Sequence, residues 1–226
     1  AADVSAGLYG FNGALVGIAL PALLAPGWVV FLLIVPGAAV SSLLMATARR
    51  RMGWLPAFTA PFVLSTWLLL VAALALGLPP ATAGGPPLAP GWGLAVLRGL
   101  GQVMFQDNAL AGGLFLVGLA ASSWRAAAWG LLGSALGLLC ALGLGFSGEL
   151  AVAGVFGFNA ALTGIALGTL PSRQLLLPLA GMVLATLLLQ AFLLAGLPAL
   201  TAPFVLASWA MLGIRRLGGR RREQAS

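Results

Sequence analysis

The sequence is dominated by apolar stretches, each about as long as a helix must be to cross a lipid bilayer. A helical crossing needs about 20 mostly apolar residues, and proline, glycine, arginine or short polar breaks separate the stretches here. Eight stretches lie at approximately 7–25, 27–48, 54–78, 102–122, 124–146, 150–169, 173–195 and 200–214. Strands of a membrane barrel would alternate polar and apolar residues in pieces of about ten, whereas these runs are continuous. The chain is therefore predicted to be an all-α integral membrane protein in contact with the lipid bilayer.

The composition supports a membrane protein and excludes most enzyme chemistry. Of the 226 residues, 61% are hydrophobic and 7% are charged, where soluble domains average about 45–50% and about 25%. Histidine is absent, and the single cysteine, Cys140, lies in an apolar run, so neither a metal centre nor a disulfide framework is expected. The four acidic residues are Asp3, Asp107, Glu149 and Glu223. This set is too small for the usual acid–base constellations, so we expect no enzyme activity and no cofactor.

The arginines indicate how the chain is oriented in the membrane. A net charge of +7 would suggest a nucleic-acid partner in a soluble protein, but these arginines lie between apolar stretches or at the C-terminus, so no such partner is expected. If the arginines at 49–51 are cytoplasmic and each stretch crosses once, ten of the eleven fall on that side and Arg98 falls outside. Short cytoplasmic loops are enriched in basic residues. The C-terminus is therefore predicted to be cytoplasmic.

An internal repeat relates the two halves of the chain. The segment 7–20 shares ten of its 14 residues with 154–167, and 59–67 shares seven of its nine residues with 201–209. Five crossings separate the first stretch from its counterpart, and an odd number inverts one half relative to the other. Inverted repeats form a site near the membrane midplane between them. The predicted fold is thus an inverted-repeat helical bundle.

The repeat also predicts the organisation of the chain. Residues 1–78 hold three stretches of the first repeat, 79–101 form a linker, 102–214 hold the five stretches of the second repeat, and 215–226 form a basic tail. Because the first repeat has two stretches fewer than the second, we expect an N-terminal truncation, with about eight spans present of ten.

Glycines and polar residues at matching positions in the two repeats are the candidates for function. Gly-x-x-Gly-Phe-Asn occurs at 7–12 and at 154–159, and predicts a broken or re-entrant helix whose free carbonyls face a cavity. The alternative is that these glycines only let helices pack closely. Thr-Ala-Pro starts at Thr59 and at Thr201. Since proline removes a backbone donor, each threonine could bond either its own helix or a passing solute.

Three pairs of side chains at helical spacing are candidates for a flat slot or for an ordinary core. They are Gln102 with Phe105, Phe11 with Leu15, and Phe158 with Leu162. If the segment is helical there, the spacing of three or four residues places both members of a pair on one helical face. Apolar pairs of this kind usually belong to a core, but rings facing each other in a duplicated site would enclose a planar solute.

Taken together and in this order, these motifs resemble the urea transporter family. The resemblance rests on the segment from Gln102 to Gly112 and on two copies each of Gly-x-x-Gly-Phe-Asn-x-x-Leu-x-Gly and Thr-x-Pro-Phe, which together cover essentially the whole chain. It implies a passive, channel-like urea transporter of ten helices in two inverted halves. It also implies a homotrimer with one pore in each subunit, in a bacterial inner membrane.

The resemblance further implies which residues line the pore, which in this family is a narrow slot with phenylalanines, a ladder of backbone carbonyls and a central threonine constriction. The matching positions here are Phe11, Leu15, Phe105, Phe158 and Leu162 for the walls, Gln102 for one mouth, and Thr59 and Thr201 for the constriction. Urea is planar and neutral, with four N–H donors and one acceptor, so it suits in-plane acceptors between apolar surfaces.

The sequence leaves two alternatives open. A channel for another small neutral solute, such as ammonia, water or a short amide, would keep the architecture and change the substrate. A non-conducting membrane scaffold would use the glycine motifs for packing alone. Because no ionisable residue is expected at the centre of a span, facilitated diffusion is favoured over coupled transport.

The arginine count gives a testable orientation. Because ten of the eleven arginines fall on one side, an alkaline phosphatase fused to the C-terminus should be held in the cytoplasm and stay inactive. Colony or cell-extract phosphatase activity measures this directly. An active fusion would place the C-terminus in the periplasm and contradict the orientation.

Overall fold

The computed structural model describes residues 7–82, 91–171 and 175–223, and these ranges are helical with short connections. The α-helices in the described ranges are α1 (Phe11–Leu23), α2 (Trp28–Arg51), α3 (Ala60–Ala75), α4 (Trp92–Gly101), α5 (Ala109–Ser122), α6 (Trp124–Gly143), α7 (Gly148–Val152), α8 (Phe158–Gly168), α9 (Leu176–Leu194) and α10 (Ala202–Glu223). A short 3-10 helix, Gln102–Met104, continues α4. The all-α prediction is confirmed for the described ranges.

The chain divides into two compact units, Ala1–Pro86 and Pro87–Ser226. In the first unit, α1, α2 and α3 all pack against one another. The connection after α1 pairs with the connection after α3, because Ala25 N–H donates to the Pro79 carbonyl at 3.0 Å and Ala81 N–H donates to the Leu23 carbonyl at 2.9 Å. These bonds hold the C-terminal ends of α1 and α3 side by side.

In the second unit, α6 packs most extensively against α8, α4 packs on α5 and α6, and α9 lies against α8 and α10. A core cluster lies among these helices and is made of Ala95, Leu138, Ala141, Ala151, Phe156, Leu189 and Ala199. Phe156 is fully buried, and its ring centroid lies 5.4 Å from that of Phe146. The second unit therefore buries its own apolar core.

By length and composition, α2, α6 and α9 are each able to cross a membrane. A further pair, α4 with its 3-10 extension and α5, is apolar enough but bent by 75° at a short break. The helices α1, α3 and α8 are apolar and shorter. Two of the stretches predicted as single crossings, 102–122 and 150–169, are interrupted by backbone turns between helices.

The prediction of one continuous helix over 102–122 is wrong. The helix α4 starts at Trp92, inside the segment predicted as a linker, and Phe105 then turns the backbone with φ 58°. The helix α5 starts anew after Asn108, whose side-chain oxygen accepts from the N–H groups of the second and third residues that follow it, at 2.8 and 3.4 Å. Such side-chain capping marks a true helix start. Residues 83–90 of the predicted linker lie outside the described residues.

The basic tail predicted at 215–226 is helical as far as the structure describes it, because α10 continues to Glu223. The stretch predicted at 150–169 is broken in the middle. The helix α7 ends at Val152, residues 153–157 form turns, and α8 begins at Phe158. The break predicted from Gly-x-x-Gly-Phe-Asn is thus confirmed in the second unit.

The close approach of α4 and α5 gives a stability prediction. A Cβ atom at Gly112 would overlap the Leu97 carbonyl oxygen, whereas a Cβ at the neighbouring Gly113 would meet nothing within 4 Å. Gly112→Ala should therefore lower the free energy of unfolding by about 1–3 kcal/mol, and Gly113→Ala should raise it by about 0.5–1 kcal/mol because alanine favours helix. Thermal unfolding in detergent compares the two variants. Equal melting temperatures would show that this contact does not constrain the unit.

Candidate functional site

The helices α3 and α10, which carry the Thr-Ala-Pro motifs, begin in the same way. Thr59 is the N-cap of α3, and Thr201 directly precedes the first residue of α10. Both side chains are buried, with exposed fractions of 7% and 4%. The Thr59 side chain does not cap its own helix. The predicted constriction residues therefore lie buried at the helix starts of their own units.

The residue before each threonine is left-handed. Phe58 has φ 49° and Leu200 has φ 47°, and Phe105 with φ 58° is the remaining non-glycine residue of positive φ in the described ranges. An L-amino acid in this conformation costs about 1–2 kcal/mol, and such strain gathers at functional sites. All three strained residues either precede a predicted pore threonine or are themselves predicted pore residues.

A buried asparagine holds each of these helix starts. In the first unit, Asn12 Nδ2 donates to the Phe58 carbonyl at 3.3 Å, and Asn12 Oδ1 accepts from the Phe62 N–H at 3.1 Å. The exposed fraction of Asn12 is 0%. The asparagine of the Gly-x-x-Gly-Phe-Asn motif thus joins α1 to the start of α3.

The second unit repeats this arrangement. Asn159 Nδ2 donates to the Leu200 carbonyl at 3.2 Å, and Asn159 Oδ1 accepts from the Phe204 N–H at 3.0 Å. Asn159 also has an exposed fraction of 0%. The sequence showed both asparagines at matching places but gave neither a role. Their matching positions in the two repeats were the sequence signal for a role. Their partners lie 41 to 50 residues away and could not be predicted from the sequence.

The turn before α8 is held by side chains of α4 and its extension. Arg98 Nη1 donates to the Val152 carbonyl at 3.1 Å, and Gln102 Nε2 donates to the Ala153 carbonyl at 3.1 Å. Because a carbonyl can only accept, the Gln102 amide nitrogen must face Ala153 and its oxygen must face elsewhere. This orientation leaves an acceptor available at the residue predicted to line one mouth.

Arg98 lies in a helix and not in a linker. The sequence assigned 79–101 to a linker, but the Arg98 side chain is 5% exposed and lies in α4. Its spacing of four residues from Gln102 places both on one helical face. That spacing was the available signal, and it was hidden because 79–101 was assigned to a linker. A buried charge within a membrane protein marks a functional or positioning role.

The glycines of the second motif take part both in a helix break and in close helix packing. Gly154 has φ 80° and makes the turn, and a Cβ at this position would overlap the Gly99 amide nitrogen of α4. A Cβ at Gly157 would lie 3.1 Å from the Gly99 Cα. Ser134 of α6 donates to the Val96 carbonyl at 2.7 Å in the same region. The motif thus combines a helix break with close packing.

The predicted slot-wall residues are partly exposed rather than buried in the cores. Phe11 is 36% exposed at the start of α1, where it lines a cavity of about 330 Å³ together with Phe58. Leu15, Phe105 and Leu162 are half-buried. Phe158 is also half-buried, and it packs against the core cluster of the second unit. Whether these side chains face one another across the two repeats stays a prediction.

The acidic residues of the described ranges do not join this site. Asp107 and Glu149 are exposed, and Glu149 lies in the first turn of α7, where a negative charge suits the helix N-terminus. Within residues 7–82, 91–171 and 175–223, no three potential metal ligands of the His, Cys, Asp or Glu types come together. The chemistry that the described site offers is therefore hydrogen bonding and apolar contact.

Comparison with known proteins points to one family. A family model described as "Urea transporter" matches residues 1–216. Urea transporter 1 of the sheep, Ovis aries, is 31% identical over 230 residues, which cover 91% of this chain and 60% of the relative. Urea transporter 1 of the goat, Capra hircus, gives the same identity and coverage. The chain thus spans 60% of the length of these relatives.

The left-handed backbone at Phe105 gives a prediction that separates conformation from side-chain packing. Phe105→Gly and Phe105→Ala both remove the ring, but only glycine adopts positive φ without strain. The glycine variant should therefore be the more stable, by about 1 kcal/mol. At Leu162, inside α8, the order should reverse because glycine weakens a helix. Thermal unfolding of the four variants in detergent checks this, and the same order at both positions would contradict it.

Proposed function

Since this chain belongs to the urea transporter family, we propose that it conducts urea passively across the bilayer through a slot between two inverted repeats. The family and the apolar helices identify it as an integral membrane protein. The matched family is one of transporters and not of enzymes, so the solute is expected to leave the protein chemically unchanged.

The observation that carries the proposal is the equivalent helix start at Thr59 and Thr201. In each unit a left-handed residue, a buried threonine and a new apolar helix follow one another. Non-helical backbone at membrane depth is tolerated only where it is buried in protein or lines a water-filled cavity. The sequence repeat relates these two helix starts. We therefore assign one of them to each side of the proposed constriction, with the hydroxyls of Thr59 and Thr201 at its narrowest point.

The chemistry of the remaining candidate residues suits a planar amide. The side-chain oxygen of Gln102, whose amide nitrogen donates to Ala153, and the hydroxyls of Thr59 and Thr201 are proposed as acceptors for N–H groups of urea. Apolar surfaces above and below the solute are assigned to the proposed slot walls, which are Phe11, Leu15, Phe105, Phe158 and Leu162. A molecule that presents its donors in one plane and is apolar on both faces is thereby preferred.

Passive conduction follows from the charges around the proposed slot. Within the described ranges, Arg98 is the one charged residue that is buried, with an exposed fraction of 5%. It donates to the backbone carbonyl of Val152 in the same unit, which gives it a structural role in the turn before α8. Coupled transporters usually bind their driving ion or proton at acidic or histidine side chains inside the membrane. We therefore infer facilitated diffusion down the urea gradient.

The architecture and assembly are part of the same proposal. The sequence repeat supports two halves of opposite orientation as part of a ten-span plan, with 1–78 in the first half and 102–214 in the second. The helix α4 is assigned to the second half and not to a linker. The resemblance to the family supports a homotrimer with one slot in each subunit. The arginine distribution supports a cytoplasmic C-terminus, and the resemblance to the family is the ground for proposing a bacterial inner membrane.

Removal of the two threonine hydroxyls tests the constriction. In the Thr59→Val and Thr201→Val double variant, a solute stripped of water finds no hydroxyl at the constriction. A lost hydrogen bond costs about 1–3 kcal/mol. The double variant should therefore slow urea efflux from liposomes by roughly tenfold or more. Thr66→Val with Ser208→Ala is a matched control. These residues lie two turns further along α3 and α10, and within the described part of the chain their buried hydroxyls have no hydrogen-bond partner. The control should conduct at the parent rate.

Three other results of this assay would each correct the proposal. Liposomes with the parent chain that release urea no faster than empty liposomes would favour a non-conducting scaffold. Release of ammonia or acetamide without release of urea would change the solute. Parent-rate urea efflux from the threonine double variant, inserted at the parent level, would remove Thr59 and Thr201 from the constriction.

A further inference from the structure

The hydrogen bonds of Asn12 and Asn159 enclose the two threonines from both sides. In each unit the asparagine donates to the carbonyl of the residue immediately before the threonine and accepts from the N–H of the third residue after it. The four distances lie between 3.0 and 3.3 Å. The threonine backbone is thus held between two fixed points by one side chain from a neighbouring helix.

This arrangement replaces the usual capping of a helix start. The first N–H groups of a helix lack partners within the helix, and the N-cap side chain normally accepts from one of them. In α3 the N-cap is Thr59, whose side chain makes no such bond, and Asn12 accepts from Phe62 instead. The N–H of Phe62 at the start of α3 is therefore bonded by a side chain of α1 and not by the N-cap residue.

An asparagine is the side chain that this position requires. One end must donate to a carbonyl, and the other must accept from an N–H a short distance away, which a single planar amide does without bringing a charge into the membrane. A leucine of similar size would make neither of these two hydrogen bonds. The loss of a buried hydrogen bond is costly, and the strained residue before the threonine would lose its bond to the asparagine.

We propose that Asn12 and Asn159 are positioning residues that set the geometry of Thr59 and Thr201 and thereby decide which small amides pass the constriction. This inference rests on the proposed function. The left-handed conformations of Phe58 and Leu200 are held through the very carbonyls to which the asparagines donate. When that bond is lost, the residue relaxes and the threonine moves. A constriction that selects by the spacing of its hydrogen-bonding groups then loses discrimination.

The test compares the permeability of two solutes through the same liposomes. Efflux of urea and of the larger N-methylurea is measured for the parent and for Asn159→Leu. The readout is the ratio of the urea permeability to the N-methylurea permeability. Misfolding or poor insertion lowers both fluxes equally and leaves the ratio unchanged, whereas displacement of Thr201 should lower the ratio about fivefold or more. Asn12→Leu is the equivalent variant in the other unit, with the same expected direction.

A matched control removes a buried polar group of no relevance to the constriction. Thr186 has an exposed fraction of 0% and donates to the Met182 carbonyl of its own helix, α9, at 3.1 Å. Thr186→Val should therefore keep the parent ratio. If Thr186→Val changes the ratio as much as Asn159→Leu does, the effect is a general one of buried polar groups, and the positioning role is wrong.

A double-mutant cycle shows whether Asn159 acts through Thr201. In the Thr201→Val background the hydroxyl is already gone, so adding Asn159→Leu should change the ratio by less than about twofold, because coupled residues are not additive. A full additional change would overturn the proposal, since Asn159 would then act without Thr201. A parent chain that conducts neither solute would overturn the proposed function and this inference together. A parent that conducts urea, with ratios unchanged in both asparagine variants, would overturn the inference alone.

Discussion

The structure depends on satisfying backbone groups wherever an apolar helix is interrupted. Water is absent from the hydrocarbon core, so each free carbonyl or N–H at a break needs a partner from the protein. At the starts of α3 and α10 that partner is the amide of a buried asparagine, which bonds one carbonyl and one N–H. The breaks bring polar backbone groups into segments that otherwise present mainly apolar side chains.

The turn before α8 follows the same rule with different side chains. Arg98 and Gln102 donate to the consecutive carbonyls of Val152 and Ala153, at the point where α7 ends. Gly154 then turns the chain and, together with Gly157, lets α4 approach closely. Polar side chains of one helix therefore complete the backbone of another. This explains why so few polar residues suffice, and why they gather at the helix ends.

The sequence predicted the long helices correctly, but it predicted only one of the two breaks, the one before Phe158 and not the one at Phe105. Apolar stretches of about the right length became α2, α6 and α9, because a continuous run of such residues has no competing structure in a membrane. The glycine motif predicted the break before Phe158, since two glycines and an asparagine are recognisable signals. The break at Phe105 was missed, because a phenylalanine carries no sign that tertiary contacts will hold it in a left-handed conformation.

The sequence by itself determined the class of protein, its helical nature, the duplication and the candidate residues, because hydropathy, motif spacing and identity between segments are local properties of the chain. It also pointed to the family that the comparison then showed. Only the tertiary structure decided what Asn12, Asn159 and Arg98 do. Their partners lie 41 to 54 residues away, and a hydrogen bond over that separation exists only once the intervening helices have packed.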